Sequence, residues 1–233
     1  MAISIYDMDR TITRSGTWAH WLAFWVKREA PWRVVLLPLL LLPVLGHAAR
    51  LVSRGQLKAL CHLVLMGRRL PRARVAAAAQ AYAERVVAEN LFEGALAQIA
   101  ADRAEGRTLL LATASNAYYA EAIGARLGMA AVVATPSRWL GDTLDWRLGG
   151  ENCYGKAKRG HLAAWLAGHG ALDARLRFYS DHVSDLPVFE LALASGGEAV
   201  AANPSPALRD MAQARGWRIV DWGKPKASLF ERA

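Results

Sequence analysis

The sequence predicts an α/β fold, a three-layer parallel sheet with an inserted α-helical cap. Three observations predict it. After residue 90, short apolar runs alternate with helical stretches of about ten residues, the pattern of βαβ units. Several of those runs are continuously apolar, as strands are when helices cover both faces of a sheet. From about residue 16 to 90 the pattern is helical throughout, with no strand signal, and it interrupts the alternation after one strand.

The elements follow in order. AISIYD opens the chain as the first strand, ending at residue 6. RTLLLAT (107–113) is the next, followed by a helix over 116–127 that stops near Gly128. AAVVAT (130–135) is a strand, and WLGDTLDWRL (139–148) reads as a hairpin turning at Gly141-Asp142. A helix covers 156–168, LRFYSD (176–181) a strand, and LPVFELALA (186–194) a helix. EAVAAN (198–203) and WRIVDW (217–222) are strands flanking a helix at 206–215. The expected organisation is a Rossmann-like core of residues 1–14 and 92–233, with residues 15–91 inserted as a helical cap.

Composition bounds the function. The 233 residues carry a formal net charge of +9 and are 54% hydrophobic, enough for a real core. The excess of cations points to an anionic partner: nucleic acid, anionic lipid or a phosphorylated substrate. Cys61 and Cys153 stand far apart with no metal-binding spacing, which fits a reducing compartment. The chain opens on acids, so no secretory leader is expected and a cytoplasmic location is. No zinc or helix-turn-helix signature supports nucleic acid.

Ligands of open parallel sheets bind beyond the carboxyl ends of the strands. Those ends are chemically rich here. The first strand runs into Asp7-Met8-Asp9-Arg10-Thr11, the second into Thr113-Ala114-Ser115-Asn116, and a later one into Asp181-His182-Val183-Ser184-Asp185. Gly155-Lys156-Ala157-Lys158 opens a helix between them. Carboxylates gathered in one place repel unless a cation sits among them, and a hard ion such as Mg²⁺ with oxygen ligands meets that need. A carboxylate can also attack phosphorus, and a second acid can move the protons. A hydroxyl and a lysine would hold the phosphate oxygens. Taken singly, each group has a structural reading: strand-end threonine, solvated lysine, helix-start acid. His20 and His182 are read as structural, with His182 turned away from the acids.

In order and spacing, these segments resemble the four motifs of the haloacid dehalogenase (HAD) superfamily. DMDRT resembles its DxDxT nucleophile motif and LLLATAS its second motif. GKAK followed by RGHL resembles its lysine motif, and SDHVSD its acidic motif. The long helical insertion occupies the cap position of the phosphoserine-phosphatase-like branch, subfamily IB. The resemblance implies Asp7 as nucleophile and Mg²⁺ ligand. Asp9 would be the general acid/base, with its backbone carbonyl on the metal. Thr113 and Lys158 would bind phosphate, with Lys156 the rival lysine. Asp181 and Asp185 would complete the metal site, the latter directly or through water. Arg10 stands where many members have Gly, a substitution that is tolerated sterically if the position keeps an ordinary loop conformation.

The insertion is unusual for a soluble cap. Trp18, Trp21 and Trp25 recur on one helical face and Trp32 follows. Then comes an apolar segment, 31–52, whose core from Val34 to Gly46 is uncharged and holds Pro38 and Pro43. Lys27, Arg28 and Arg33 precede it, and Arg50, Arg54 and Lys58 follow. Aromatics and cations bordering an apolar stretch are the marks of a membrane interface. A single crossing would separate Asp7 from Thr113, Lys158 and Asp181, so only a shallow, re-entrant or interfacial insertion is compatible with the site. The alternative is a buried cap core with the tryptophans packed on the apolar run. The insertion also resembles that of the phosphatidylglycerophosphatase C group, which implies a phosphorylated lipid headgroup drawn in by Arg50, Arg54 and Lys58 at the cytoplasmic face of the inner membrane. Two other readings stand: a soluble phosphatase of a small metabolite such as phosphoserine, and a non-catalytic basic module that binds membrane or nucleic acid.

Overall fold

The computed structural model describes residues 1–223; residues 224–233, the end of the expected core segment, lie outside the described residues. The chain begins with β1 (Ala2–Tyr6), an irregular π-type turn (Met8–Ile12) and α1 (Thr17–Glu29). A 3-10 helix (Pro31–Leu40) leads into α2 (Leu41–Ala48), α3 (Arg54–Leu65), β2 (Arg69–Pro71) and α4 (Arg72–Glu89). Then come α5 (Glu93–Ala104), β3 (Thr108–Asn116), α6 (Ala117–Arg126), β4 (Ala131–Thr135), β5 (Ser137–Leu140) and β6 (Thr143–Leu148). The remainder is α7 (Lys156–Gly168), β7 (Arg175–Ser180), α8 (Leu186–Ala194), β8 (Glu198–Ala202), α9 (Pro206–Ala214) and β9 (Arg218–Val220).

Among the described residues, six strands form one parallel sheet in the order β4-β3-β1-β7-β8-β9. Strand β1 lies centrally, with Ile5 beside Leu110 on one side and Phe178 on the other. The side-chain period of two sends Ile3 and Ile5 to one face, where Leu110, Phe178 and Phe189 are buried. Tyr6 goes to the other face, with Tyr179 stacked on it at 4.4 Å between ring centroids. Burying both faces is why these strands read as unbroken apolar runs. The carboxyl ends of β1, β3 and β7 therefore emerge side by side.

Two expectations need correction. The 16–90 stretch contains a strand: β2 pairs antiparallel with β6, Leu70 opposite Leu144, in a second sheet of order β2-β6-β5. Three residues ending in proline carry no period of their own. The pairing is supplied by a hairpin some seventy residues away, whose turn at Gly141 takes φ +59°. The last strand is also shorter than WRIVDW suggests, because only Arg218–Val220 pair with β8.

The tryptophans and the apolar segment part company. Trp21 and Trp25 are fully buried, Trp21 within 5.1–5.5 Å of the rings of Tyr82, Tyr118 and Tyr119. Trp21 thus packs against rings of α4 and α6, and Trp25 lies beside it, 5.8 Å away between ring centroids. Over Pro31–Ala48, mean hydropathy is 1.5 and only 6% of the stretch is buried. Val35 (71% exposed), Leu42 (74%) and Leu45 (63%) face outward. The buried-cap-core alternative therefore fails. The chain turns back sharply after α2, where Gly46 O accepts the Leu51 and Val52 amides, and α3 returns along the segment.

Candidate active site

Strand β1 delivers Asp7 to the sheet edge, where its amide donates to Tyr179 O at 2.9 Å. The turn that follows buries Met8, Thr11 and Ile12 as an anchor. Within it Arg10 has φ +61°, in the left-handed region that favours glycine. The condition for tolerating a side chain there, an ordinary loop conformation, is therefore not met: Arg10 carries left-handed strain while its side chain stays exposed.

Helix α7 brings the lysine. Its N-cap, Gly155, sits at φ +58°, ψ −123°, a conformation open only to glycine. Lys158 is 2% exposed, and its Nζ donates to Asp7 Oδ1 at 2.8 Å and to Asp185 Oδ2 at 2.7 Å. Lys156 is exposed on the same helix, so Lys158 is the lysine brought among the acids. Asp185 Oδ2 also accepts from Ser180 Oγ at 2.8 Å. The Thr11 hydroxyl donates to Asp7 Oδ2 (3.1 Å), lies 3.5 Å from Asp181 Oδ1 and accepts the Asp181 amide (3.0 Å).

Asp9 points along a different path. Its Oδ1 accepts from both the amide and the hydroxyl of Thr17 (2.7 Å each), and its Oδ2 accepts from Ser115 Oγ (3.2 Å). Thr113 is fully buried within β3, which runs on to Asn116 past the expected strand end at 113, and its hydroxyl accepts the Ser115 amide at 3.0 Å. Lys58 reaches in from α3. It donates to Asn152 Oδ1 (2.8 Å) and, in a very short contact, to Ala114 O. Arg50 is exposed on the turn before α3, and none of its contacts joins it to these groups; Arg54 is exposed too, with its guanidinium 4.1 Å from the Tyr154 ring centroid. His182 directs its ring to Ser184 and His20 to Ser15.

Electrostatics follow from crowding. Burial pushes the Asp7 carboxyl up to about 8, with the Lys158 ammonium pulling against it and Asp185 and Asp181 adding to the rise. Burial and Asp185 raise Asp181 to about 6. Burial alone would lower Lys158, but Asp185 and Asp7 outweigh it and hold the ammonium above the usual lysine range.

A divalent cation fits this donor set. Asp185 Oδ1 is buried without a hydrogen-bond partner among the described residues, and Asp7 and Asp181 converge on one hydroxyl. Among the described residues no three acidic, His or Cys side chains form a ready metal cage. Mg²⁺ does not require one, since it binds through one or two carboxylates and keeps several waters. Asp7 and Asp181 would hold it, with Asp185 acting through water because its other oxygen is taken by Lys158 and Ser180.

Sequence reasoning missed four partners of the site: Ser115 and Thr17, which fix Asp9, and Asn152 and Ala114, which hold Lys58. Ser115 lay inside a quoted motif. Thr17 stands eight residues beyond Asp9, at the first turn of α1, where polar residues are ordinary.

Fold and site together define a Rossmann-like α/β core, a parallel sheet with an acidic centre beyond its strand ends. The profile of haloacid dehalogenase-like hydrolases matches residues 5–190, and the chain belongs to that family. It is 30% identical over 173 residues to phosphoserine phosphatase SerB1 of Mycobacterium tuberculosis, covering 73% of this chain and 53% of that one. The chain thus spans about half the length of the curated relatives it matches. A protein of unknown function from Bordetella pertussis superposes with TM-score 0.81 at 25% identity, covering 95% of this chain and 98% of the other. A structure described as a probable phosphoserine phosphatase from Vibrio cholerae gives TM-score 0.62 at 14% identity, covering 91% and 59%.

Proposed function

We propose that the protein is a Mg²⁺-dependent phosphomonoester hydrolase working through an aspartyl-phosphate on Asp7. The observation that carries this reading is Lys158 bridging Asp7 and Asp185, with Asp181 reached through Thr11. An Asp7 oxygen attacks phosphorus, the bond to the leaving oxygen breaks, and Asp9 donates that oxygen its proton. Asp9 then takes a proton from water, which attacks phosphorus, releases inorganic phosphate and restores Asp7. Lys158 and Thr113 hold phosphate oxygens, and Thr17 and Ser115 orient Asp9. Asp7 and Asp181 would hold Mg²⁺, which when bound would offset the charge of those carboxylates and of the phosphoryl group. The test is phosphate release from p-nitrophenyl phosphate, with and without EDTA, by wild type and Asp7→Asn. Undiminished turnover by Asp7→Asn overturns the reading.

The substrate we propose is a phosphorylated membrane lipid such as phosphatidylglycerophosphate, met at the cytoplasmic face of the inner membrane. The exposed run from Val34 to Leu45, Trp32 beside Arg33, and the cations at both ends of the segment support an anionic bilayer as its partner. The likeness to a phosphoserine phosphatase supports a second reading, a soluble phosphorylated metabolite. Co-sedimentation with phosphatidylglycerol vesicles separates them, because a soluble enzyme stays in the supernatant.

A further inference from the structure

Among the described residues, three that are not glycine hold φ in the left-handed region: Arg10 (+61°), Arg50 (+61°) and Asn203 (+48°). Two of the three meet. Asn203 lies just past the end of β8, and its side-chain nitrogen donates to Thr11 O at 3.2 Å and to Arg10 O at a longer 3.4 Å. Its side-chain oxygen accepts the Trp222 amide at 2.7 Å. These partners fix which way the side-chain amide points, because a backbone N–H can only donate and a carbonyl oxygen only accept. Left-handed backbone in a residue other than glycine costs free energy, persists where the surroundings over-determine it, and clusters at functional sites.

The sheet order makes the contact informative. Strand β7 stands between β8 and β1. To reach the turn after β1, the loop Asn203-Pro204-Ser205 crosses the carboxyl end of β7, where Asp181 follows the strand. It takes hold there too: the Ser205 amide donates to Asp181 O at 2.8 Å. On its other side the loop is moored to β9, the Asn203 backbone amide donating to Val220 O at 2.8 Å. One short loop thus grips both the turn that bears Thr11 and the backbone of Asp181. The Thr11 hydroxyl spans the gap between those grips, donating to Asp7 Oδ2 and accepting the Asp181 amide.

Resting on the Mg²⁺-dependent reading, we propose that Asn203 is a positioning residue of the metal site. By holding the carbonyl of Thr11 it sets where the Thr11 hydroxyl sits, and with it the separation at which Asp7 and Asp181 share a cation. Asparagine suits the task on three counts. It adopts left-handed backbone more readily than most residues bearing a side chain. Its NH₂ group supplies donors for two carbonyls, and its oxygen answers an amide. Glycine would meet the first requirement and neither of the others.

The experiment measures metal binding apart from turnover. Calorimetry follows MgCl₂ into the free enzyme at a temperature where each protein is folded by circular dichroism, so that lost stability alone leaves Kd unmoved. Asn203→Gly keeps the left-handed backbone and removes the side chain, and its Kd for Mg²⁺ should rise by about tenfold. A residue present only for its turn would be replaced by glycine without effect, so an unchanged Kd overturns the proposal. Thr11→Val removes the hydroxyl at nearly constant shape and should itself weaken Mg²⁺ binding. Adding Asn203→Gly to it should change Kd by no more than about twofold, because the group being positioned is already gone. Effects that multiply in the double variant overturn the route through Thr11. Should Thr11→Val not fold, the Asn203→Gly comparison still decides the proposal. Absence of Mg²⁺ binding by wild type overturns the metal reading and the proposal together, whereas wild-type binding that Asn203→Gly leaves unchanged overturns the proposal alone.

Discussion

Lys158 ties two strand ends together, because one ammonium answers Asp7 at the end of β1 and Asp185 beyond β7. Removing it leaves two buried carboxylates facing each other, so Lys158→Met should lose stability and activity together. Asp7→Asn should keep the fold and lose turnover by at least about a thousandfold, read as phosphate release. The raised Asp7 and Asp181 pKa values carry a pH dependence. Their folded values, about 8 and about 6, stand above their unfolded ones, so ionisation opposes folding and stability falls as pH climbs through that range. Lys158, held above the lysine range, does not titrate in that window. Mg²⁺ competes with protons for the same oxygens, so its upward shift of the melting temperature should be larger at pH 8 than at pH 5.5, read by thermal denaturation. Arg10→Gly should relieve the left-handed strain at φ +61° and raise stability by up to about 1 kcal/mol, read by urea unfolding.

At the scale of elements, the 3-10 helix and α2 are the anomaly. They present Val35, Leu42 and Leu45 outward, where a soluble cap would bury them. Each fully inserted leucine contributes about 1.5–3 kcal/mol of transfer free energy. Leu42→Asp with Leu45→Asp should therefore cut co-sedimentation with anionic vesicles by more than about tenfold and spare soluble p-nitrophenyl phosphate turnover. Wild-type binding should survive 0.5 M salt, because inserted apolar side chains are not screened as charges are. The cap's other helices were legible as helices, and Trp21 and Trp25 as one face. Which way that face points was not legible. The rings turn inward because Tyr82, Tyr118 and Tyr119 offer them a pocket, two of the three from α6 in the core.

At the scale of the molecule, the parallel sheet and its acidic edge were readable from the chain alone. Burial on both faces forces apolar strands, and the sheet rule places Asp7, Thr113 and Asp181 at neighbouring carboxyl ends whatever the loops do. Such information is local or strictly ordered along the chain, so the sequence by itself determined it. Other features were decided only by tertiary structure. Strand β2 exists because β6 pairs with it; Asp9 is held by Thr17 and Ser115; Lys58 lies beside Ala114 and Asn152, fifty-six and ninety-four residues away. A pairing over that distance leaves no periodicity in the chain, and only closing the cap onto the sheet brings its members within a hydrogen bond of each other.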